Sequence, residues 1–222
     1  HKKLIGLLES YLRLRACDEG KCVLLIGASG EKSQVRHAIK SALKITNQYK
    51  GVHVGKTMGE KWKQGRFRNV YLRNSAWQQG YAIDTVETAC DWSKVKSMML
   101  SMEQAGRDAM AIENELVHAY THLSHLYGQG ASVYSTFVYR LTGDYEHDYA
   151  RWRRLKSAVS AAIVANGGTI SHQHGVGSDH APYLEIEKGS LGISSMRHLF
   201  KHFDPLGIMN PGKLLPAEDV AQ

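Results

Sequence analysis

Two histidines one residue apart are the first candidates for chemistry in this sequence. His172 and His174 lie in the stretch SHQHGVG (171–177), just after a pattern typical of a helix. Residues two apart on a strand point to the same face, so both imidazoles could meet one bound group, and Gly175 and Gly177 would let that group approach the main chain. Three interpretations are open: a zinc ion with His180 as third ligand, an edge of a substrate or cofactor, and ordinary polar packing.

A second group of histidines lies in the segment LVHAYTHLSHLY (116–127). If this segment is a strand, His118 and His122 share a face and His125 lies opposite them. The three rings then cannot converge on one ligand, which makes this group the weaker candidate for a site.

The elements that must position these side chains are helices alternating with short strands. Apolar runs predict strands at KCVLLIG (21–27) and GVHVG (51–55), and a hairpin from LVHAYTHLSHLY and SVYSTFVYRL joined by Gly128-Gln129-Gly130. Helical spacing predicts helices at residues 30–49, at residues 93–106, where Gly106 ends the helix, and at Asp148–Asn166. This mixture predicts an α+β fold with an antiparallel sheet.

The last of these helices carries both an apolar face and a cationic face. Its spacing predicts that it buries Trp152, Leu155, Val159, Ala162 and Ile163. Arg151, Arg154 and Lys156 are interpreted as a solvated face, with contact to an anionic lipid surface as the alternative.

Composition limits the class of protein. The chain has 222 residues, of which 43% are hydrophobic and 22% charged, enough for one large domain or two small ones with a core. No apolar run is long enough to span a membrane. The net charge of +7 favours acidic partners, but no nucleic-acid-binding motif accompanies it, so we predict no nucleic-acid partner. Three cysteines without CxxC spacing favour reduced thiols and a cytoplasmic location, with peripheral membrane contact as a further option.

The segment IGASGEKS imitates a phosphate-binding loop without meeting its requirements. The Walker pattern needs four residues between its glycines and a glycine before the lysine. Here only two residues separate Gly27 from Gly30, and Glu31 precedes Lys32. We interpret this segment as a turn, with Ser29 as the candidate helix N-cap.

Several motifs in register resemble the C-terminal region of FAD-linked oxidases, the family with vanillyl-alcohol-oxidase-type folds. Three of these motifs are GGTISHQHGVG, PYLEIEKGSLG and FDPLGIMNPGKLL. Two more, YLRNSAWQQGYAIDTVETACDW and GQGASVYSTFVY, lie upstream, and the resemblance as a whole covers residues 23–215. The resemblance implies a cap or substrate domain with ferredoxin-like elements, in which helices pack on one side of an antiparallel sheet. It also implies FAD, bound mainly by a separate N-terminal domain.

We therefore expect residues 1–222 to be one such domain of a longer flavoprotein, since the sequence lacks an initial Met. The expected partners are its own FAD-binding domain and a phosphorylated or carboxylate small molecule, with a homodimer left open. By itself the chain is expected to bind FAD weakly or not at all.

Two branches of the family differ at the hairpin. Flavin-dependent 2-hydroxy-acid dehydrogenases usually carry Gly-Asp-Gly-Asn-Leu-His there, whereas this chain has GQGASVY (128–134). The alkyldihydroxyacetonephosphate synthases are similar to this chain in placing a tyrosine at that point. The resemblance thus implies ether-lipid chemistry, the exchange of acyl for alkyl on dihydroxyacetone phosphate. A D-lactate or glycolate oxidase or dehydrogenase is the alternative.

The resemblance also implies roles for particular residues. Tyr134 matches the acid/base tyrosine of the synthases and Arg73 their substrate-binding arginine, while His122 and His125 border the pocket. A phenol with a pKa near 10 needs nearby cations to serve as an acid or base.

Other positions are expected beside the flavin. His172 and His174 are expected as catalytic groups beside the flavin and substrate, and His174, Gly175 and Asn210 are expected to contact the cofactor. We therefore predict no bound metal. One departure is Gln173, because the synthases have three successive histidines where this chain has SHQH.

Overall fold

The computed structural model describes residues 2–15, 17 and 22–215, which fall into two compact units, His1–Tyr71 and Leu72–Gln222. The first unit contains the helices α1 (Lys2–Leu14), α2 (Lys32–Gln48) and α3 (Thr57–Gly65), and a 3₁₀ helix at Arg66–Tyr71. Helix α2 confirms the helix predicted at residues 30–49. Its N-cap is Glu31 rather than Ser29, and no side-chain hydrogen bond caps it.

The two strands predicted in the first unit are wrong. Residues 22–27 and 51–55 have no strand structure, and residue 21 lies outside the described residues. Val23 and Leu24 are exposed. A strand is stabilised by hydrogen bonds to a neighbouring strand. The part of this unit that the structure describes contains no strand that could be such a neighbour. An apolar run alone therefore did not determine the local structure.

The second unit contains the sheet. Its elements are α4 (Leu72–Gln78), β1 (Tyr81–Asp91), α5 (Trp92–Ala111), β2 (His118–Leu126), β3 (Gly130–Arg140), α6 (Tyr145–Ala165), a 3₁₀ helix at Ala181–Tyr183, and α7 (Leu184–Phe203), which is kinked at Gly189. The three strands are antiparallel in the order β1-β3-β2. The predicted α+β class and the hairpin are confirmed, whereas β1 is a strand that the apolar pattern did not predict.

One face of the sheet forms the main hydrophobic core with α5 and α6. Alternate residues of the strands, among them Val86, Val133 and Phe137, pack here with Met98 and Leu155 from the helices. Helices therefore pack on one side of the sheet, as expected. The opposite face carries polar side chains, and we call it the polar face; it is defined by Thr85, Glu87, His122, Tyr134 and Thr136.

Helix α5 continues through Gly106 and ends at Ala111, so the predicted stop at Gly106 is wrong. A Cβ atom at this position would lie 2.3 Å from Cε1 of Phe137. Gly106 therefore serves close packing of the helix against the aromatic ring of β3, not helix termination.

Helix α6 begins at Tyr145, three residues earlier than predicted, because the Asp144 carboxylate accepts a hydrogen bond from the His147 amide. Leu155, Val159 and Ile163 are buried as predicted. Trp152 and Ala162 are only partly buried.

The solvated or lipid-facing surface predicted for α6 is wrong. Arg151 is only 7% exposed and, with Arg154, forms ion pairs with Glu113, while Lys156 pairs with Asp84. Buried charges require such partners. Among the described residues, no helix is both long enough and apolar enough to cross a membrane.

Candidate functional site

The strand register places three functional side chains in one row on the polar face. Glu87 of β1 lies opposite Tyr134 of β3, and Tyr134 lies opposite His122 of β2. The rings of His122 and Tyr134 are stacked, with their centroids 4.8 Å apart. Because strand residues alternate between faces, Tyr134 shares this face with Thr136 and Val138.

The two candidate histidines lie on a loop rather than a strand. This histidine loop, residues 169–177, is attached to the edge of β1 by hydrogen bonds from the Thr169 amide to the Ala89 carbonyl and from the His172 amide to the Glu87 carbonyl. Gln173, Gly175 and Gly177 have φ values of 62°, 76° and 57°. The glycines are therefore needed to turn the loop.

Both imidazoles nevertheless converge on one group, the buried carboxylate of Glu87. Nδ1 of His172 lies 3.2 Å from one carboxylate oxygen, and Nε2 of His174 lies 3.4 Å from the other. Glu87 is 3% exposed. The meeting predicted from strand alternation thus occurs, but the loop produces it.

The carboxylate of Glu87 is held in its charged form. Burial acts to raise its pKa, but hydrogen bonds from Ser124 and His172, together with the positive charges that His172 and His174 can carry, lower the pKa overall. A negative charge is therefore fixed beneath the polar face, next to imidazoles that can accept protons.

His125 joins this cluster, contrary to the strand prediction. The register of β2 shifts between Leu123 and Leu126, which marks a β-bulge. Strict alternation would direct His125 to the helix-packed face; instead its Nδ1 lies 3.8 Å from the Glu87 carboxylate, and its ring centroid lies 5.8 Å from that of His172. Bulges redirect side chains in this way.

Two tyrosines flank the cluster in different ways. The Tyr134 ring meets the ring of His174 edge-on, with centroids 5.5 Å apart. Tyr127, the first residue of the hairpin turn after β2, places its hydroxyl 3.0 Å from Nε2 of His172. Sequence reasoning identified Tyr134 and missed Tyr127.

The structure does not bring Arg73 to this cluster. Its guanidinium, 53% exposed, lies 3.6 Å from the carboxylate of Asp84. Asp84 and Glu87 are three residues apart on β1 and so point to opposite faces. Trp152 and Lys156 also bind Asp84. This region forms a separate cleft of about 580 Å³, lined by residues that include Arg73, Trp77, Tyr149, Trp152 and Lys156.

Asn210 lies in the exposed tail that follows α7. The Asp204 carboxylate accepts hydrogen bonds from the amides of Ile208 and Met209, and the Asp204 carbonyl accepts one from the Gly207 amide, which closes a turn at Asp204-Pro205. Asn210 itself has a φ of 48°. The Leu214 amide donates to the Gly177 carbonyl, which connects this tail to the end of the histidine loop.

The side chains that could reach a metal differ from those predicted. Glu87, His125 and His172 each offer a ligand atom, and these atoms lie within 4.8 Å of one another. His180 is buried, its Nδ1 lies 3.2 Å from the Val176 carbonyl, and burial and the charge of Lys156 lower its pKa. Zinc would need its ligands at about 2.0–2.2 Å, whereas Glu87 and His172 already bond each other directly. We interpret the cluster as hydrogen-bonded.

Glu87 is the functional residue that sequence reasoning missed most clearly. The available signal was the carboxylate of Glu87 in the middle of IDTVETACD, a run that also contains Asp84 and Asp91 but is otherwise apolar or β-branched. A charge inside such a run needs a partner when the run is buried. Tyr127 and Ser124 gave no comparable signal, because only the folded hairpin brings them to the cluster.

The chain belongs to the family described as FAD linked oxidases, C-terminal domain, whose model matches residues 2–214. It is 26% identical to the alkyldihydroxyacetonephosphate synthase of Dictyostelium discoideum over 95% of this chain and 34% of that protein. It is 24% identical to the alkyldihydroxyacetonephosphate synthase of Trypanosoma brucei brucei over 88% of this chain and 32% of that protein. Glycolate oxidase subunit GlcD of Bacillus subtilis is 26% identical over 94% of this chain and 42% of its own length.

A solved structure of alkyldihydroxyacetonephosphate synthase shares the fold, with a TM-score of 0.54 and 21% identity over 82% of this chain and 30% of that one. The chain spans about a third of the length of the curated synthases that it matches.

FAD is the cofactor that this family membership implies, and the polar face fits a flat heteroaromatic ring. His122, Tyr134 and His174 present ring surfaces and polar hydrogens there. The space that a side chain at Gly175 would take is open. These residues would hold the ring, and contacts from His174, Gly175 and Asn210 to the flavin remain a prediction.

Proposed function

We propose that this chain is the substrate domain of an FAD-dependent enzyme of the alkyldihydroxyacetonephosphate synthase type, which exchanges the acyl group of acyl-dihydroxyacetone phosphate for an alkyl group. The observation that carries the proposal is the position of Tyr134, between the imidazoles of His122 and His174 on the polar face. The similarity to several synthases over most of the chain supports it.

The residues of this chain would supply proton transfer. Exchange at carbon one of the substrate, which adjoins a carbonyl group, requires a base that removes a proton from that carbon and later returns it. The phenol of Tyr134 is that base in our proposal. Protonated imidazoles at His122 and His174 would stabilise its phenolate, and Glu87 holds His174 in place. Bound FAD would supply the covalent chemistry of the reaction.

The substrate-binding role of Arg73 stays a prediction separate from the Tyr134 site, because the structure places its guanidinium in the other cleft, beside Asp84. Its guanidinium is more than half exposed and meets Asp84 at only 3.6 Å. An arginine in this state keeps donors free for a phosphate or carboxylate, which its planar group can bind at two points. The separate FAD-binding domain is the proposed partner that would complete the site.

The second candidate function is a flavin-dependent 2-hydroxy-acid oxidase or dehydrogenase. Similarity to a glycolate oxidase subunit over 94% of the chain favours it. The hairpin sequence GQGASVY lacks the asparagine and histidine usual in that branch, and for this reason we place it second.

An assay of the enzyme that carries this domain together with its FAD-binding part separates the two functions. We expect acyl-dihydroxyacetone phosphate to exchange with a long-chain alcohol without an electron acceptor. Reduction of an acceptor by D-lactate or glycolate, without exchange, would instead establish the oxidase.

Two substitutions test the assigned residues. Tyr134→Phe is expected to lower exchange by roughly a hundredfold while bound flavin is unchanged, and Arg73→Lys to impair it because the planar group is lost. Tyr120→Phe is the matched control, since Tyr120 is an exposed tyrosine on the same sheet face. Full activity of Tyr134→Phe would exclude the role given to this phenol.

A further inference from the structure

Tyr127 is fixed by the hairpin turn in a position that no motif of the sequence indicates. Its amide donates to the Gly130 carbonyl at 2.8 Å, and its carbonyl accepts from the indole of Trp92 at 3.1 Å. A Cβ at Gly130 would lie 2.0 Å from the Cys90 carbonyl oxygen, so only glycine lets the turn lie against β1. The backbone of Tyr127 is thus held at both polar atoms, and its phenol is directed by the fold.

The phenol begins a chain of hydrogen bonds that ends at the buried carboxylate. The Tyr127 hydroxyl lies 3.0 Å from Nε2 of His172, and Nδ1 of His172 lies 3.2 Å from the Glu87 carboxylate. An ionised carboxylate only accepts hydrogen bonds, so Nδ1 carries the hydrogen. In the neutral imidazole Nε2 is then the acceptor, and the Tyr127 hydroxyl donates to it.

This arrangement distinguishes Tyr127 from Tyr134. Tyr134 meets imidazoles through its ring, and among the hydrogen bonds of residues 22–215 none involves its hydroxyl. Tyr127 is bonded through its hydroxyl to a nitrogen that can take the proton. A base whose proton acceptor is oriented in turn by a carboxylate has the logic of a catalytic triad.

We propose that Tyr127, His172 and Glu87 form a proton relay that deprotonates the alcohol entering the exchange reaction, a role distinct from that of Tyr134. The relay rests on the proposed function for its substrate, a long-chain alcohol. Tyr127 is the group that touches the alcohol, His172 receives the proton, and Glu87 is the positioning residue.

The proton balance of the exchange requires such an acceptor. The alcohol loses its O–H bond as its oxygen bonds to carbon one, and the acyl group leaves as a carboxylate with the electron pair of its own C–O bond. One proton is therefore released in each exchange. It passes to the oxygen of Tyr127 as the former phenolic proton bonds to Nε2 of His172, and the resulting imidazolium lies beside the Glu87 carboxylate.

The surroundings of the relay suit this charge change. The titratable groups that face His172 in the described residues are Glu87 from β1, His125 from β2 and Tyr127 from the turn, with His174 on the same loop bound to the second oxygen of Glu87. Tyr127 is 46% exposed, so an alcohol can reach its hydroxyl. One buried carboxylate therefore compensates the proton that the relay accepts.

Two half-reactions distinguish the two tyrosines in the flavin-loaded enzyme. Tyr127→Phe is expected to lower alcohol incorporation by at least about a hundredfold, while exchange of the carbon-one hydrogen with solvent deuterium stays within about twofold. Tyr134→Phe is expected to lower both by roughly a hundredfold. Incorporation at the normal rate in Tyr127→Phe, or equal loss of both half-reactions, would overturn the relay. Partial recovery of Tyr127→Phe with a fluorinated, more acidic alcohol would support it, and equal impairment with both alcohols would count against it.

Nitrogen-15 NMR of the histidines in the 222-residue chain tests the relay without any assay. We expect the hydrogen of His172 on Nδ1, and the Nε2 signal to shift in Tyr127→Phe while the signals of His147 do not. A hydrogen on Nε2 instead, or no shift, would disprove the relay even if exchange is catalysed. If the enzyme performs no exchange but these signals are as expected, the proposed function fails while the hydrogen-bonded chain stands.

Discussion

Two glutamates in the second unit are each surrounded by basic side chains, and they differ in what those side chains can do. Glu113, between α5 and β2, binds the guanidinium groups of Arg151 and Arg154 and the imidazole of His147. Glu87, on β1, faces three imidazoles and a serine hydroxyl. Guanidinium groups dominate the first cluster, whereas the basic partners in the second are all imidazoles.

The difference follows from the pKa values of the partners. Arginine stays charged at every relevant pH, and hydrogen bonds from Arg151 and then Arg154 lower the pKa of Glu113 to about 2. Imidazoles change charge near neutral pH. Two of the three basic partners of Glu113 are permanently charged guanidinium groups, whereas all three basic partners of Glu87 are imidazoles. A similar arrangement of groups therefore holds charge in one region and offers groups for proton transfer in the other.

The largest effect is expected when the carboxylate of Glu87 is neutralised. Glu87→Gln keeps the size of the side chain but removes the charge that orients His172 and His174, so turnover is expected to fall by about a hundredfold. The pH–rate profile should change as well, because the imidazoles lose their negative neighbour. An unchanged profile with normal turnover would show that Glu87 only fills space; Glu113→Gln, assayed below its melting temperature, is the control.

Neutralising the carboxylate of Glu113 is expected to lower stability and to leave activity unchanged. Glu113→Gln leaves the buried guanidinium of Arg151 without its charged partner, and we expect a loss of about 2–3 kcal/mol in the free energy of unfolding. Urea denaturation at pH 7 measures it. Glu103→Gln, which removes an i,i+4 pair with Arg107 on α5, should cost no more than about 0.5 kcal/mol. Equal losses in the two variants would contradict the assignment.

Acid should reduce the difference between wild type and Glu113→Gln. The folded pKa of Glu113 is about 2, below its ordinary value of 4.5. The stabilisation is therefore complete above pH 4.5 and is lost as the pH falls from about 4.5 to about 2. Urea midpoints at pH 7, 4, 3 and 2 should converge for the two proteins. A difference that stays constant down to pH 2 would show that the pKa is not lowered.

The smallest effect is expected from metal chelation. If Glu87 is hydrogen-bonded to His172 and paired with His125 without a metal, EDTA should leave the melting temperature unchanged, and elemental analysis should find no stoichiometric transition metal. One zinc ion per chain that is lost in His172→Ala would instead make the Glu87 cluster a metal centre. The contrast between Glu87 and Glu113 would then be one of metal binding against ion pairing, not of proton transfer.

Much of the second unit could be predicted from local patterns. The hairpin, the buried positions Leu155 and Val159, and the face occupied by Tyr134 follow from periodicities of two and 3.6 residues. Strand β1 was missed because its residues do not alternate cleanly between apolar and polar. The burial of Arg151 was missed because its partner, Glu113, is 38 residues away.

The sequence by itself determined the family, the antiparallel hairpin and the residue types available for proton transfer, because motif order, glycine-rich turns and short-range periodicity are local properties. Only the tertiary structure decided which of these residues meet. Glu87, Tyr127 and His172 come from a strand, a turn and a loop separated by as many as 85 residues. A hydrogen bond requires a separation near 3 Å, which depends on the register of β1, the bulge in β2 and the left-handed residues of the histidine loop together.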